Sequence, residues 1–200
     1  ILSLRRNVIR QHQQGMEGQW SRHAASSVTG STIGMLGLEN GGGKLAQMME
    51  AMGCRVLVWQ PDPENAEADS RFSAELEALC READIVSVHL SYGQARNCIV
   101  GGDLIGWMKR TAVLISMGDG RLVDTEALYT ALKEKRIEAA ALDTLERTVI
   151  EGENPLRTLR NVILTPGIGR FTREELVRTG CEAARIAAEL LSESDGSVTK

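Results

Sequence analysis

The stretch Thr32-Ile33-Gly34-Met35-Leu36-Gly37-Leu38-Glu39-Asn40-Gly41-Gly42-Gly43 decides the fold class of this 200-residue chain. Its first five residues are a short apolar run of the kind that forms a buried strand, and the glycines after them predict a tight turn. Apolar residues then recur at helical spacing from Leu45 to Met52, and Gly53 is expected to end that helix. A buried strand, a glycine-rich turn and a helix in this order indicate an α/β unit.

The same alternation continues along the chain. Further strands are predicted at 54–59, 84–90, 111–116, 137–142 and 162–165, and further helices at 73–83, 103–109, 124–135 and 172–191. Because the strands are continuously apolar, they favour a doubly wound parallel sheet with helices on both faces and right-handed crossovers. Ligand-binding residues are then expected in the loops that follow the carboxyl ends of the strands.

Three parts are expected along the chain. Residues 1–25 are predicted to hold one leading amphipathic helix, because their apolar residues recur at helical spacing. These residues are Ile1, Leu4, Val8, Met16 and Trp20. Residues 26–192 form the α/β domain, and residues 193–200 form a polar tail. Since the chain begins in a helical pattern and not at a methionine, we expect it to be part of a larger protein.

Composition and charge argue against several classes of function. The net charge of −4 gives no electrostatic basis for binding nucleic acid. No run approaches the ~18 apolar residues of a membrane span. The four cysteines form no C-x-x-C pair and the three histidines are scattered, so no metal site is expected. The widely spaced cysteines are interpreted as reduced thiols, which predicts an intracellular, cytoplasmic protein.

Five segments resemble the NAD-binding domain of the D-isomer-specific 2-hydroxyacid dehydrogenases, in the same order and at similar spacing. They are 33–38 (IGMLGL), 83–90 (ADIVSVHL), 120–128 (GRLVDTEAL), 139–143 (AAALD) and 161–169 (NVILTPGIG). The resemblance implies a Rossmann-type sheet that binds a dinucleotide at the carboxyl ends of its strands. It also implies a substrate domain whose larger part precedes this one.

The resemblance also places residues at the cofactor positions. Gly37 and Gly42 fit the first and third positions of a G-x-G-x-x-G turn, but Glu39 stands at the second, where its carboxylate obstructs and repels a diphosphate. Gln60 stands where the family has an acid for the ribose hydroxyls. Because its uncharged amide can bond a hydroxyl and tolerates a 2′-phosphate, it predicts no preference between NAD and NADP. Asp143 matches the residue that bonds the nicotinamide amide, or else it caps the next turn. We therefore expect weak binding of NAD or NADP.

The three catalytic positions of the family also carry other residues. Asp119 replaces the arginine that holds the substrate carboxylate, Gly167 replaces the histidine that exchanges the proton, and Thr148 replaces the glutamate that tunes this histidine. A positioned acid–base group contributes roughly 10²–10⁴ in rate. Arg121, two residues after Asp119, and His89, at the end of a strand, are the candidates for relocated catalytic groups.

The departures at these positions leave three interpretations. The first is a pseudoenzyme, without catalytic residues, that serves as an assembly or regulatory subunit. It would form a homodimer or a heterodimer with a related chain through the leading helix. The second is an NAD(P)-dependent oxidoreductase acting on a 2-hydroxy acid with relocated catalytic groups. The third is a nucleotide-sensing module that binds without turnover.

Overall fold

The computed structural model of the protein describes residues 1–61, 75–91, 93, 98–146 and 153–195. Within them, six strands pair in parallel in the order β2-β1-β3-β4-β5-β6. The strands are β1 (Thr32–Leu36), β2 (Arg55–Trp59), β3 (Ile85–Val88), β4 (Val113–Ser116), β5 (Ala139–Leu142) and β6 (Val162–Leu164). This sheet confirms the predicted Rossmann-type α/β architecture.

Helices cover both faces of the sheet, as the continuously apolar strands predict. The helices before residue 166 are α1 (Leu2–Arg5), α2 (Val8–Met16), α3 (Gly42–Ala51), α4 (Leu76–Glu82), α5 (Gly102–Trp107) and α6 (Thr125–Lys133), and a further helix, α7 (Arg173–Asp195), follows β6 along the chain. One buried cluster joins the sheet to α4, α5 and α6, and a second joins it to α1 and α3. Asp124 caps α6, because its carboxylate accepts a hydrogen bond from the Ala127 N–H at 3.0 Å.

The direction of the strand order reverses beside β1. This strand pairs with β2 on one side, where Leu36 lies opposite Trp59, and with β3 on the other, where Leu36 lies opposite Val88. The connection that follows β1 therefore runs toward β2 and the one that follows β3 runs toward β4, in opposite directions, which opens a crevice at the carboxyl ends of β1 and β3. In open α/β sheets such a crevice is where ligands bind.

The leading segment is not the single helix that the spacing of its apolar residues predicts. Asn7 takes the left-handed conformation, with a φ of 52°, and separates α1 from α2. Asparagine tolerates this conformation better than most residues, and the apolar spacing alone does not reveal it. Leu4 packs into the buried cluster, whereas Met16 and Trp20 are 77% and 91% exposed. The apolar stripe is thus divided between the domain's own core and its surface.

By contact density the chain divides into two units, Ile1–Thr165 and Pro166–Lys200. The second contains a 3₁₀ turn at Ile168–Arg170 and the helix α7, whose surface carries ion pairs one turn apart, such as Arg178 with Glu175 at 2.7 Å. Helix α7 extends to Asp195 and so includes the start of the segment that was expected to be a polar tail. No helix in the described part of the chain combines the length and apolar character that crossing a membrane requires.

Candidate cofactor site

The glycine-rich turn after β1 is held in a defined shape by its own backbone. Gly37 has a φ of 82° and donates its N–H to the Trp59 carbonyl at 2.9 Å, which ties the turn to the end of β2. Gly41 is also left-handed, with a φ of 83°, and precedes the first residue of α3. Within the described residues, the N–H groups of Asn40 and Gly41 make no hydrogen bond. They are donors available to an anion at the start of a helix.

Gly37 and Gly42 are both required by close packing. A Cβ on Gly42 would lie 3.0 Å from Cβ and Cγ of His89 and 3.0 Å from the Gly37 carbonyl oxygen. A Cβ on Gly37 would lie 2.7 Å from Cδ2 of Leu90. The two positions predicted from the glycine pattern are therefore brought together against the end of β3. Their role in close packing of the turn and the helix matches the physical reason for glycine in such turns.

His89 connects the turn to β3. Its Nδ1 lies 3.3 Å from the Asn40 carbonyl oxygen, and the Asn40 side-chain amide donates to the His89 carbonyl at 3.0 Å. Its Nε2 lies 2.9 Å from the Ser87 hydroxyl. Burial lowers the pKa of His89, and the hydrogen bond to Asn40 opposes this effect only in part. With both ring nitrogens engaged and 3% of its surface exposed, His89 supports the turn and does not serve as a relocated acid–base group.

Glu39 and Gln60 flank the turn. Glu39 is exposed at the second position of the glycine pattern. Gln60 follows directly after β2 and is half-buried, next to the Trp59 carbonyl that receives the Gly37 N–H. An uncharged amide at the end of the second strand can hydrogen-bond ribose hydroxyls without repelling a phosphate.

Asp143 lies at the carboxyl end of β5 and is 8% exposed. Its backbone N–H donates to the Ser116 carbonyl at 3.0 Å, and its carboxylate accepts a hydrogen bond from the Thr165 hydroxyl at 2.5 Å. The next residue, Thr144, donates its hydroxyl to the Gly118 carbonyl. These bonds fix the ends of β4, β5 and β6 relative to one another.

Asp119 and Arg121 form a bidentate ion pair. The Arg121 Nε donates to one carboxylate oxygen at 2.9 Å and a terminal nitrogen donates to the other at 2.7 Å. The Arg121 backbone N–H also donates to Asp119, at 2.9 Å. These hydrogen bonds hold the pKa of Asp119 below its ordinary value. The negative charge expected at this position is therefore offset by a neighbouring cation.

Two of the family's three catalytic positions, Gly167 and Thr148, do not belong to the described residues of the first unit. Gly167 belongs to the second unit, where it is left-handed with a φ of 71° and precedes the 3₁₀ turn. Thr148 lies outside the described residues. In the described part of the chain, no three side chains of the metal-binding types come together to form a metal site.

Sequence reasoning missed several residues that shape this edge. Asn40 and Thr165 were not singled out, because their partners lie 49 and 22 residues away along the chain. The tight fit of Gly120, whose Cβ would lie 2.3 Å from the carbonyl carbon of Leu145, is likewise a property of the folded chain. The Asp119–Arg121 pair could have been found, because opposite charges two residues apart in a turn can reach each other.

Comparison with known sequences identifies the family. The family described as "D-isomer specific 2-hydroxyacid dehydrogenase, NAD binding domain" matches residues 1–169. The chain belongs to this family. A glyoxylate reductase of Aeropyrum pernix is 33% identical over 196 residues, which cover 92% of this chain and 58% of that protein. A D-3-phosphoglycerate dehydrogenase of Methanocaldococcus jannaschii is 31% identical, covering 96% of this chain and 37% of that protein.

Solved structures give the same result. An acyclic imino acid reductase in complex with NADPH and D-Arg superposes with a TM-score of 0.86 at 26% identity, covering 96% of this chain and 62% of the other. A D-lactate dehydrogenase with NAD⁺ from Lactobacillus jensenii superposes with a TM-score of 0.75 at 28% identity, covering 87% and 57%. The chain spans 37% to 58% of the length of the two relatives compared by sequence.

These comparisons correct two expectations. The pseudoenzyme interpretation is wrong, because the relatives that the chain matches are reductases and dehydrogenases. The expectation of weak dinucleotide binding is also corrected, since the matching family is an NAD-binding domain.

Proposed function

We propose that this chain is the cofactor-binding part of an NAD(P)-dependent oxidoreductase that interconverts a 2-hydroxy acid and its 2-oxo acid. One observation carries the proposal: the glycine turn, packed on His89 at the reversal of strand order, presents two unpaired N–H groups at the start of α3. The names of the relatives, which include glyoxylate, phosphoglycerate and lactate enzymes, support the substrate class.

The residues at this edge fit a dinucleotide. Asn40 and Gly41 offer N–H groups to the pyrophosphate, and Gly42 keeps the space above His89 free of a side chain. Gln60 contributes an amide to the adenosine ribose, and Asp143 bonds the nicotinamide amide. Bound at this edge, NAD(P)H supplies the hydride for the reaction.

Arg121 is the substrate-binding residue in this proposal. Its guanidinium already holds one carboxylate, that of Asp119, in the bidentate geometry that suits a carboxylate substrate. Asp119 then acts as a positioning residue that keeps Arg121 at the end of β4. Because Gly167 and the buried His89 cannot exchange a proton with substrate, another residue supplies the acid–base group in this proposal.

The experiment is a turnover assay with the complete protein. Oxidation of NADH and NADPH is followed with glyoxylate, hydroxypyruvate, pyruvate and 3-phosphohydroxypyruvate as substrates. Arg121→Gln is expected to lower kcat/KM by about 100-fold, because truncating a bidentate carboxylate contact removes a charge-assisted pair. Arg55→Gln is the matched control, since Arg55 is also exposed and paired with a carboxylate, that of Glu82, but at the opposite end of its strand.

Two further results decide the proposal. Asp119→Asn should retain activity, because the asparagine side-chain oxygen still accepts the hydrogen bonds from the Arg121 backbone N–H and Nε that position the guanidinium. Saturable binding of either dinucleotide without turnover of any substrate would contradict the proposal and favour a nucleotide-sensing module. Equal losses in the Arg121 and Arg55 variants would contradict the role of Arg121.

We also propose that two copies of the chain, or this chain and a related one, pair through the exposed side of α2. Val8 and Met16 remain 52% and 77% exposed there, which leaves apolar surface uncovered. Light scattering should give twice the monomer mass, and Val8→Asp with Met16→Asp should return the monomer with an unchanged circular dichroism spectrum. A monomeric parent protein at high concentration would contradict self-pairing.

A further inference from the structure

A second cavity lies at the amino edge of the sheet, opposite the cofactor site. It measures about 710 Å³ and is lined by segments that immediately precede strands, among them Thr111 before β4, Glu138 before β5 and Asn161 before β6. We refer to it as the basic cavity. Since nucleotides of this fold bind at the carboxyl edge, the basic cavity is separate from the cofactor site.

Five cations line the basic cavity, against one carboxylate, that of Glu138. They are Arg10, Arg110, Lys133, Lys135 and Arg160. The whole chain carries a net charge of −4, so the sign of the charge is reversed at this place. Walls of one sign concentrate field lines and attract the opposite charge.

Four of these cations have no partner in the described part of the chain. Neither an ion pair nor a side-chain hydrogen bond involves Arg10, Arg110, Lys135 or Arg160. Other arginines on the surface are paired with carboxylates, among them Arg81, which is paired with Glu77 at 2.6 Å, and Arg185, which is paired with Glu182 at 2.6 Å. The like charges in the basic cavity therefore repel one another, and the Glu138 carboxylate offsets only one of the five.

The fold gathers these cations from four separate segments. Arg10 comes from α2, Arg110 precedes β4, Lys133 and Lys135 lie at the end of α6, and Arg160 precedes β6. The dipole at the end of α6 favours the two lysines, but it does not account for the three arginines on other elements.

The floor of the basic cavity is held in place by hydrogen bonds. The Asn161 side-chain amide donates to the Leu132 carbonyl at 3.3 Å and to the Glu138 carbonyl at 3.0 Å. It thereby ties the start of β6 to the end of α6 and the start of β5. Ile137 and Leu159 add apolar surface to the same walls.

Lys135 occupies a backbone position that favours glycine. Its φ is 57°, in the left-handed region, directly after α6, where the Arg136 N–H donates back to the Ala131 carbonyl at 2.8 Å. Helices commonly end in this way with glycine, because a Cβ is strained there. The chain has instead a lysine, whose side chain adds one more charge to the cavity.

We propose that the basic cavity binds an organic polyphosphate of nucleotide size. The unpaired cations supply partners for several phosphate oxygens, and the apolar walls and the volume suit the organic part of such a ligand. This assignment is independent of the chemistry at the carboxyl edge.

The test is calorimetric titration of the complete protein, saturated with NAD so that the cofactor site is filled. ADP and inorganic pyrophosphate are the two probes. ADP is expected to bind saturably and more tightly than pyrophosphate, with an affinity that falls as salt is added. Absence of saturable ADP binding would overturn the proposal, and pyrophosphate binding as tightly as ADP would overturn the assignment of an organic ligand.

Variants locate the site. Arg110→Gln with Arg160→Gln should weaken ADP binding by more than about tenfold. Arg55→Gln with Arg81→Gln is the control, since it removes the same charge from arginines outside the cavity. Lys135→Gly should weaken ADP binding while raising Tm, because it removes a charge and relieves the left-handed backbone. Equal weakening in the control pair, or full ADP binding in Lys135→Gly, would overturn the proposal.

Discussion

The carboxyl and amino edges of the sheet differ in how many of their charged side chains have partners within the chain. At the carboxyl edge, the Asn40–His89 and Asp119–Arg121 contacts satisfy polar side chains internally, although the buried Ser116 hydroxyl has no partner among the described residues, and the exposed donors are backbone N–H groups. At the amino edge, the cations Arg110 and Arg160 project into a cavity without partners in the described chain.

The difference teaches how a single fold separates two kinds of anion recognition. Backbone donors at a helix start have fixed positions, because packing around glycines sets them. Side-chain cations adapt to several anions, but each must lose rotamer freedom on binding. At the carboxyl edge, stability and dinucleotide binding are therefore expected to fall when a side-chain atom is added to a glycine. At the amino edge, anion binding is expected to fall when a cation is removed.

Gly120→Ala should have the largest effect on stability. Its Cβ would lie 2.3 Å from the carbonyl carbon of Leu145 and 2.5 Å from the Glu146 backbone nitrogen, so the backbone of the carboxyl edge must move. We expect a loss of about 3 kcal/mol in the free energy of unfolding, measured with urea. Gly106→Ala is the control, since its Cβ meets open space within α5 and should stabilise by about 0.5 kcal/mol. Equal effects of the two changes would show that the edge is not tightly packed.

Gly42→Ala should have a smaller effect on stability and a larger one on binding. The new Cβ would press on His89 and on the Gly37 carbonyl, costing about 1–2 kcal/mol. Displacement of the turn should weaken dinucleotide binding by more than about tenfold, measured by calorimetry. In Gly43→Ala the added Cβ makes an ordinary contact of 3.6 Å with the Leu38 carbonyl oxygen, so both quantities should change little. Unchanged binding in Gly42→Ala would argue against this turn as the pyrophosphate site.

The fold was predictable from the sequence because its signals are local. Apolar runs, the glycines from Gly37 to Gly43 and the cap at Asp124 each act within a few residues, and the sheet has the predicted strands in parallel. The break at Asn7 was not predictable, because its left-handed conformation leaves the apolar spacing unchanged.

The candidate site was predictable only as a set of positions. The glycine pattern located Gly37 and Gly42, but the pairing of Asn40 with His89 depends on the sheet that brings β1 beside β3. Asp119 is identified from the sequence as a departure from the family's arginine, with Arg121 named beside it as a candidate replacement. Its charge has a different effect once the Arg121 guanidinium is bound to it.

His89 should make stability depend on pH. Burial lowers its pKa in the folded protein, so on acidification the unfolded chain takes up a proton that the folded one does not. Its contribution is thus complete above the unfolded pKa and is lost as the pH falls below about 6.5. Between about pH 7.5 and about pH 5.5, the free energy of unfolding should fall more in the parent protein than in His89→Gln, by up to about 1 kcal/mol. The same fall in both proteins would show that His89 takes up its proton in the folded state.

Arg55→Gln should have the smallest effect. The Arg55–Glu82 pair, at 2.7 Å, is more than half exposed on both sides and screened by water. We expect a change of at most about 0.5 kcal/mol in the free energy of unfolding, decreasing further with added salt. A loss above about 1 kcal/mol would make this variant unsuitable as a control. It would also show that an exposed ion pair contributes more to the stability of this protein than such pairs usually do.

Hydrogen–deuterium exchange with and without NADH tests the central claim most directly. If the glycine turn binds the dinucleotide, amide protection should increase across the turn that contains Asn40 and Gly41, whose N–H groups are unpaired in the described chain. Peptides that contain Arg110 and Lys135, at the amino edge, should show no change. Protection at the amino edge with none at the turn would contradict the account, because it would place the cofactor at the wrong end of the sheet.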